Sequence, residues 1–197
     1  MGERNLQLIL ASSSPQRRML LEQAGYAFRI VEPHPGAECG VCSRESPGEM
    51  VARLARQKAA NVAEQLDAPL KDDELIVACD TVAECAGSIL GKPTDREHAR
   101  RMLRLLSGRE HRVYSGLCLW PTDGRSPQTR VARTTLRMDR LSDEQLDEYL
   151  DSGLWEGKAG AFGYQDRVGW LQIVEGSESN VIGLPLELLA QMLSEEA

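Results

Sequence analysis

A run of serines and arginines follows the first apolar segment of the chain, in the stretch LILASSSPQRRMLLEQAG at residues 8–25. Ser14 is in position to cap the helix that follows. Unpaired N–H groups and a partial positive charge make a helix N-terminus a seat for phosphate. Ser12 adds a hydroxyl donor, and Arg17 and Arg18 add charge that costs about 0.3–1 kcal/mol each beside the helix dipole unless an anion binds. We therefore predict a phosphate-binding loop; the alternative is a serine cap followed by solvated arginines.

A lysine falls within the apolar stripe of a second predicted helix, GEMVARLARQKAANVAEQL at residues 48–66. Seven steps of about 100° from Val51 to Lys58 return to within about 20° of the starting direction. A buried ammonium is unfavourable without a partner. We expect Lys58 to face a partner or a cleft; the alternative is a long side chain that reaches solvent from the edge of the stripe.

Acidic and basic residues follow a third segment, ELIVACDTV, which predicts a strand buried on both faces. Asp80 is expected at the carboxyl end of that strand, where open α/β sheets bind their ligands. Thr81 beside it can donate a hydrogen bond, and Lys92 follows in the turn GKP. Together these residues predict phosphate chemistry, with carboxylates that hold a divalent metal or activate water. The alternative for Asp80 is a turn cap.

The remaining segments alternate between helices and strands. Capping boxes at Thr94-x-x-Glu97 and Ser142-x-x-Gln145 open two further helices. HRVYSGLCLW and TRVARTTLRM predict an antiparallel pair, and the glycine-rich EGKAGAFGYQDRVG precedes a strand, WLQIV, and a C-terminal helix, LPLELLAQML. This order predicts an α/β fold with a mixed sheet and flanking helices, in a single domain over residues 1–197.

Composition narrows the classes of partner. The chain has 197 residues with 23 Lys and Arg against 30 Asp and Glu, a net charge of −7. This balance disfavours nucleic acid and anionic membranes as partners. An odd count of five cysteines, and the absence of a signal-like or membrane-spanning segment, predict a reduced cytoplasmic protein.

Two sequence features suggest alternatives. The arginines of REHARRMLRLLSGREHR would suit a nucleic-acid-binding module, although such a face is usually only solvated. Cys39 and Cys42, with His34 nearby, would suit zinc, but no second ligand pair has suitable spacing. The three histidines show no convincing arrangement for a Ser-His-Asp site.

Six segments, in order, resemble those of the Maf-type nucleoside triphosphate pyrophosphatase family and cover nearly the whole chain. They are LASSSPQRRMLL, RLARQKA, ACDTVAECAGSILGKP, the AxxMLxxLSGxxHxVYSG pattern at residues 99–116, KAGAFGYQ and GSESNVIGLPLELL. The resemblance implies an elongated two-lobed fold around a central cleft, similar to the inosine triphosphate pyrophosphatase group, in a homodimer. It also implies hydrolysis of a nucleoside triphosphate to the monophosphate and pyrophosphate with a divalent cation, Mg2+ or Mn2+.

The resemblance also implies roles for individual residues. Asp80 corresponds to the proton acceptor for the attacking water, and Glu38 would assist with metal or water. Lys58 and Lys92 would neutralise phosphate charge.

Four positions bear on the substrate. Gln16 replaces the first arginine of the family's Pro-Arg-Arg, and Ala37 replaces the acidic residue before Glu38. Gln165, with Thr81, resembles the branch that acts on dTTP and UTP rather than the branch that acts on 7-methyl-GTP. The departures leave an alternative, a nucleotide-binding regulator of cell division that binds triphosphates without releasing pyrophosphate.

Overall fold

A mixed sheet forms the centre of the protein, in a computed structural model that describes residues 7–36, 45–66, 74–166 and 168–196. Its strands run in the order β2-β1-β3-β5-β6-β7, and β4 pairs with β3 beside this path. The β1–β2 and β1–β3 pairs are parallel and the other pairs are antiparallel. The strands are β1 (Gln7–Leu10), β2 (Phe28–Ile30), β3 (Glu74–Cys85), β4 (Ser88–Leu90), β5 (Glu110–Pro121), β6 (Gln128–Met138) and β7 (Leu171–Glu175).

Helices flank the sheet, and most begin at residues that the sequence marks as caps. Ser14 and Ser142 accept backbone hydrogen bonds at the starts of two helices, as predicted. The prediction for Thr94 is wrong by one residue, because the carboxylate of Asp95 accepts from the backbone of His98 at 2.7 Å and becomes the N-cap. The helices are α1 (Pro15–Gln23), α2 (Pro47–Gln65), α3 (Arg96–Leu106), α4 (Asp143–Asp151), α5 (Glu178–Ile182) and α6 (Leu186–Glu196), with 3-10 turns at Ala159–Ala161 and Tyr164–Asp166.

The core divides into clusters at the two ends of the sheet. One end packs α2 on one face of β1 and β3 and packs α1 and α6 on the other face. At the other end, α3 and α4 pack with β5, β6 and the glycine-rich segment around Leu103, Leu106 and Leu136. The expected α/β fold with a mixed sheet, flanking helices and two lobes around a cleft is confirmed. Within the described residues, no helix is both long enough and apolar enough to cross a membrane.

An open stretch of the β3 edge lies between the two lobes. Residues 74–77 of β3 pair with β1 and residues 83–85 pair with β4, so no strand of the described part of the chain lies beside residues 78–82 on that side. Asp80 therefore lies in the middle of β3. The sequence had led us to expect it at the carboxyl end of the strand, so that expectation is wrong. β3 continues beyond Asp80 because it remains paired with β5 as far as Glu84, whose partner is Arg112.

Gly116 of β5 allows α2 to approach the sheet at this point. It is the partner of Asp80 in the β3–β5 register. A Cβ atom at Gly116 would lie 2.1 Å from the carbonyl oxygen of Val51 in α2. Only glycine, which has no Cβ atom, allows the backbone of α2 to come this close to β5. The contact holds α2, which carries Lys58, directly over this part of the sheet.

Candidate active site

A cleft of about 1000 Å³ opens at the gap in the sheet edge, between the two lobes. Its walls come from the loop after β1, from α1, from the middle of β3, from the loop before α3 and from the glycine-rich segment. The structure thus gathers residues that are far apart in the sequence. The predicted site residues that line the cleft are Ser12, Ser14, Gln16, Arg17, Lys58, Asp80, Thr81 and Lys92.

Three other predicted residues are not placed in this group. Arg18 lies on the exposed side of α1, where it pairs with Glu22 at 2.8 Å, and the residues that line the cleft do not include it. Glu38 lies outside the residues that the structure describes, as do Ala37, Cys39 and Cys42. The backbone of Gln165 belongs to the 3-10 turn at Tyr164–Asp166, and its side chain is not described.

Lys58 and Asp80 form a buried ion pair at the floor of the cleft. Lys58 Nζ donates to Asp80 Oδ1 at 2.6 Å, and both residues are more than nine-tenths buried. The helical spacing that placed Lys58 within the apolar stripe is confirmed, because its neighbours on that face are buried with it. Asp80 Oδ2 accepts no hydrogen bond from the described residues, so one carboxylate oxygen remains for a water or a cation.

The guanidinium of Arg17 joins three parts of the chain. Nε donates to the carbonyl of Gly183 at 2.8 Å, Nη1 donates to Ser12 at 3.2 Å and Nη2 donates to Thr81 at 3.4 Å. The planar fork of arginine suits such divergent acceptors better than an ammonium does. Arg17 is therefore a structural link as well as a cation of the cleft, and Gly183 is a contributor that the sequence did not reveal.

Hydroxyl groups hold the loop between β1 and α1 in shape. The backbone N–H of Ser14 donates to Ser12 Oγ at 3.1 Å, and Ser14 Oγ caps α1 by accepting from the N–H of Arg17. Ser14 also donates to Gln16 Oε1 at 3.0 Å. The loop thereby places the N-terminal end of a nine-residue helix at the cleft, where it favours an anion.

His111 also lines the cleft, although the sequence analysis assigned it no role. It is 5% exposed on β5, and its Nδ1 has no hydrogen-bond partner among the described residues. Burial lowers the pKa of the imidazole, and the Arg109 backbone and the Glu84 carboxylate raise it less. The ring is thus held neutral at the apolar end of the cleft, next to Val113 in the same strand.

The glycine-rich segment forms the wall opposite the loop between β1 and α1. Lys158 donates to Asp166 at 2.6 Å, and the hydroxyl of Tyr149 donates to the same carboxylate at 2.9 Å. Burial and this carboxylate raise the pKa of Tyr149, which keeps the phenol protonated. Phe162 lines the cleft and stacks on Tyr149 with ring centroids 5.1 Å apart, and Trp170 completes the aromatic group. The two hydrogen bonds to Asp166 and the packing of the aromatic rings thus hold this wall in place.

Metal binding depends on the carboxylates around the cleft. Among the described residues, no group of three or more His, Cys, Asp or Glu side chains could enclose a metal ion. Mg2+ usually binds through one or two carboxylates together with substrate phosphates and waters. Asp80, with one oxygen that no described residue occupies, fits that mode of binding in which the substrate supplies further oxygens.

Three of the four arginines of α3 pair with carboxylates of α4, which makes them less available for the nucleic-acid binding that the sequence suggested as an alternative. Arg96 and Arg100 pair with Asp147 of α4, and Arg104 pairs with Asp143 at 3.0 Å. These pairs brace α3 against α4. The cysteines of the described residues, Cys79, Cys85 and Cys118, are buried free thiols.

Comparisons with known proteins agree with this architecture. A family model described as "Maf-like protein" matches residues 7–196. The dTTP/UTP pyrophosphatase of Rhodopirellula baltica is 55% identical over 187 residues, which cover 94% of this chain and 80% of that protein. The dTTP/UTP pyrophosphatase of Pelotomaculum thermopropionicum is 40% identical over 193 residues, and the alignment covers 95% of this chain and 95% of that protein. The structure of the Staphylococcus aureus Ham1 protein aligns with a TM-score of 0.54 at 14% identity, covering 97% of this chain and all of that one, which shows a shared fold.

Proposed function

The chain belongs to the Maf-like protein family, and from this premise we propose that it is a nucleoside triphosphate pyrophosphatase acting on dTTP and UTP. The reaction would release a nucleoside monophosphate and pyrophosphate. The observation that carries the proposal is the buried Lys58–Asp80 pair, which faces the same cleft as the N-terminus of α1. The similar proteins named dTTP/UTP pyrophosphatase support the choice of substrate.

Asp80 is the proton acceptor in this proposal. A water oxygen forms a bond to the α-phosphorus, the bond from that phosphorus to the bridging oxygen breaks, and pyrophosphate leaves. The water proton passes to Asp80, whose Oδ2 has no protein donor within the described residues. Lys58, 2.6 Å from Oδ1, holds the carboxylate in place and offsets its charge, so that a polyanion can approach.

Positive groups around the cleft would hold the triphosphate. Lys92 lies on the exposed loop between β4 and α3, and the backbone of Gly91 beside it accepts from Gly160 at 3.0 Å. This contact ties the lysine's loop to the opposite wall. Together with Arg17, the hydroxyl of Ser12 and the N-terminus of α1 capped by Ser14, Lys92 would stabilise the charge on the phosphates.

Asp80 and Glu38 would hold the divalent cation, Mg2+ or Mn2+. When bound, such a cation offsets phosphate charge and lowers the pKa of a water. The role of Glu38 follows from the resemblance alone. We also propose, on that basis, that Gln16, Thr81 and Gln165 contribute to selection among dTTP, UTP and modified nucleotides, whereas the exposed Arg18 would act through long-range charge only.

The oligomeric state and the cellular compartment of the protein are also proposals. We infer a homodimer from the resemblance and a reduced, cytoplasmic setting from the cysteine content of the sequence. Three of the five cysteines are buried thiols whose pKa burial raises, which suits a structural role. Light scattering coupled to size-exclusion chromatography tests the dimer.

The central experiment measures pyrophosphate release by the purified protein with Mg2+ or Mn2+, across canonical and modified nucleoside triphosphates. Release that favours dTTP and UTP supports the proposal. Binding of triphosphates without any release would favour the alternative, a nucleotide-binding regulator. Salt-dependent binding to DNA or RNA in place of nucleotide turnover would favour the nucleic-acid-binding module.

A further inference from the structure

A buried polar atom in the wall of the cleft has no partner. Within the described residues, the buried side-chain polar atoms without a hydrogen bond are Nδ1 of His111, Oγ1 of Thr129 and Oδ1 of Asn180. Of these three residues, His111 alone lines the cleft. Buried polar atoms in native proteins are nearly always paired, so an exception needs a physical reason. A ligand that enters the cleft can supply the missing partner of His111.

The strand register places His111 on the same face of the sheet as Thr81. Successive side chains of a strand point to opposite faces, so residues 111, 113 and 115 of β5 share one face. Ser115 is the register partner of Thr81, and their hydroxyl oxygens lie 2.8 Å apart. Thr81 and His111 therefore line the cleft from the same face. Thr81 is also one of the residues to which we assign a part in selecting the base.

Apolar side chains surround this part of the cleft. Leu106, Val113, Leu136 and Phe162 line the cleft and belong to one apolar cluster, and Leu136 is the register partner of His111 on β6. A nucleobase is flat, so it gains from burial among these side chains and from stacking on an aromatic ring. A phosphate would find no counter-charge on them. This end of the cleft therefore suits the base of a nucleotide.

The protonation of the ring makes His111 a hydrogen-bond acceptor. Burial lowers the pKa of the imidazole and keeps the ring neutral, with one hydrogen and one lone pair. A hydrogen bond with the backbone of Arg109 raises that pKa less, as a carbonyl that accepts the ring hydrogen does. Because Nδ1 has no partner, Nε2 carries this hydrogen and Nδ1 carries the lone pair. The χ2 torsion of histidine has broad minima, so a small turn of the ring presents this lone pair to a ligand.

We propose that His111 is a specificity-determining residue whose Nδ1 accepts a hydrogen bond from the N3–H of the pyrimidine in dTTP and UTP. These keto pyrimidines have a hydrogen on N3, whereas CTP has a lone pair there that would face the lone pair of Nδ1. A site that hydrogen-bonds one base and leaves the other unpaired discriminates more strongly than a site that only fits the shape of the base. The inference rests on the proposed function, since it assigns base recognition within that site.

Two substitutions separate the lone pair of His111 from the ring that carries it. His111→Phe keeps a planar ring without the lone pair, so we expect kcat/KM to fall by about tenfold for UTP and dTTP and by less than about twofold for CTP. His111→Asn should restore most of the preference for UTP over CTP, because its Oδ1 is bonded to Cγ, as Nδ1 is, and can accept the same hydrogen bond. A preference that His111→Phe leaves unchanged, or that His111→Asn fails to restore, would overturn the proposal.

Val113→Ala is the matched control, since it changes the same wall two residues along β5 without removing a polar atom. It should change kcat/KM for UTP and CTP by the same factor. Competitive inhibition by UMP and CMP measures the base contact without turnover. UMP should inhibit the wild-type protein more strongly than CMP does, and His111→Phe should remove about tenfold of that difference. Equal inhibition of the wild-type protein by the two monophosphates would also overturn the proposal.

Failure of the proposed function is distinguishable from failure of this inference. If the wild-type protein releases no pyrophosphate, the proposed function fails, and the role of His111 is still tested by the Kd values of UMP and CMP in the wild type and in His111→Phe. If the wild-type protein is active and His111→Phe lowers kcat/KM equally for UTP and CTP, the inference alone fails.

Discussion

Lys58 and Asp80 form a 2.6 Å ion pair between α2 and β3, with both side chains about nine-tenths buried. Removing one partner of such a pair leaves a buried charge uncompensated, which typically costs about 3–5 kcal/mol. A purely structural pair in this place would gain little over two apolar side chains. Its position in the cleft, beside the helix terminus, instead supports a role in the reaction.

Asp80→Asn should lower kcat by at least about 100-fold, because an amide cannot accept the water proton. Pyrophosphate release measures the loss, and a non-hydrolysable UTP analogue checks that the site still binds. Tm should also fall, because Lys58 loses its ion pair with the Asp80 carboxylate. Near-normal turnover would exclude Asp80 as the proton acceptor.

Gln16→Arg should change relative kcat/KM among the bases by about tenfold, because it adds a charged fork where an amide stands. The change also removes the oxygen that accepts from Ser14 at 3.0 Å. Gln16→Ala is the control for that lost contact, since it removes the acceptor without adding charge. An unchanged substrate profile in Gln16→Arg would show that this position does not select the base.

His111 should make the protein less stable in mild acid. Burial lowers the pKa of its imidazole below the ordinary value of 6.5, so the unfolded chain binds this proton more readily than the folded chain does. The stabilisation is fully present above the unfolded pKa and is lost as pH falls through the folded pKa. We expect Tm to fall between pH 7.5 and pH 5, by less in His111→Gln than in the wild type. Equal Tm shifts in the two proteins would show that His111 does not cause the dependence.

Gly116→Ala should destabilise the protein by about 3 kcal/mol or more, since its methyl group would meet the α2 backbone. Chemical denaturation measures the loss, and pyrophosphate release should fall because α2 carries Lys58. Gly48→Ala is the matched control, because its nearest neighbour would be a methyl carbon of Val131 at 3.8 Å. A folded Gly116→Ala protein of normal stability would contradict the close approach of helix and sheet.

Local patterns predicted the site residues whose positions follow from a single element. Helical spacing placed Lys58 on the buried face of α2, and cap chemistry placed Ser14 at the start of α1. Asp80 was placed at the wrong point of its strand, because where β3 ends depends on its pairing with β5 and not on its own residues. Periodicity contains no information about a distant partner strand.

Residues with tertiary roles were the ones that the sequence analysis missed. His111 has the alternating pattern of any inward-facing strand residue, and only the fold reveals that its Nδ1 has no hydrogen-bond partner among the described residues. The carbonyl of Gly183 has no sequence signal as an acceptor.

The bond from Arg17 to Gly183 has a consequence for the order of events during synthesis. It joins residues 166 positions apart, so the loop between β1 and α1 acquires its final contacts only after almost all of the chain has left the ribosome. A growing chain would thus carry its serines and Lys58 without a working site. Nucleotide hydrolysis is expected to begin abruptly, with the emergence of α5 and α6, and a fragment that ends before them is expected to be inactive.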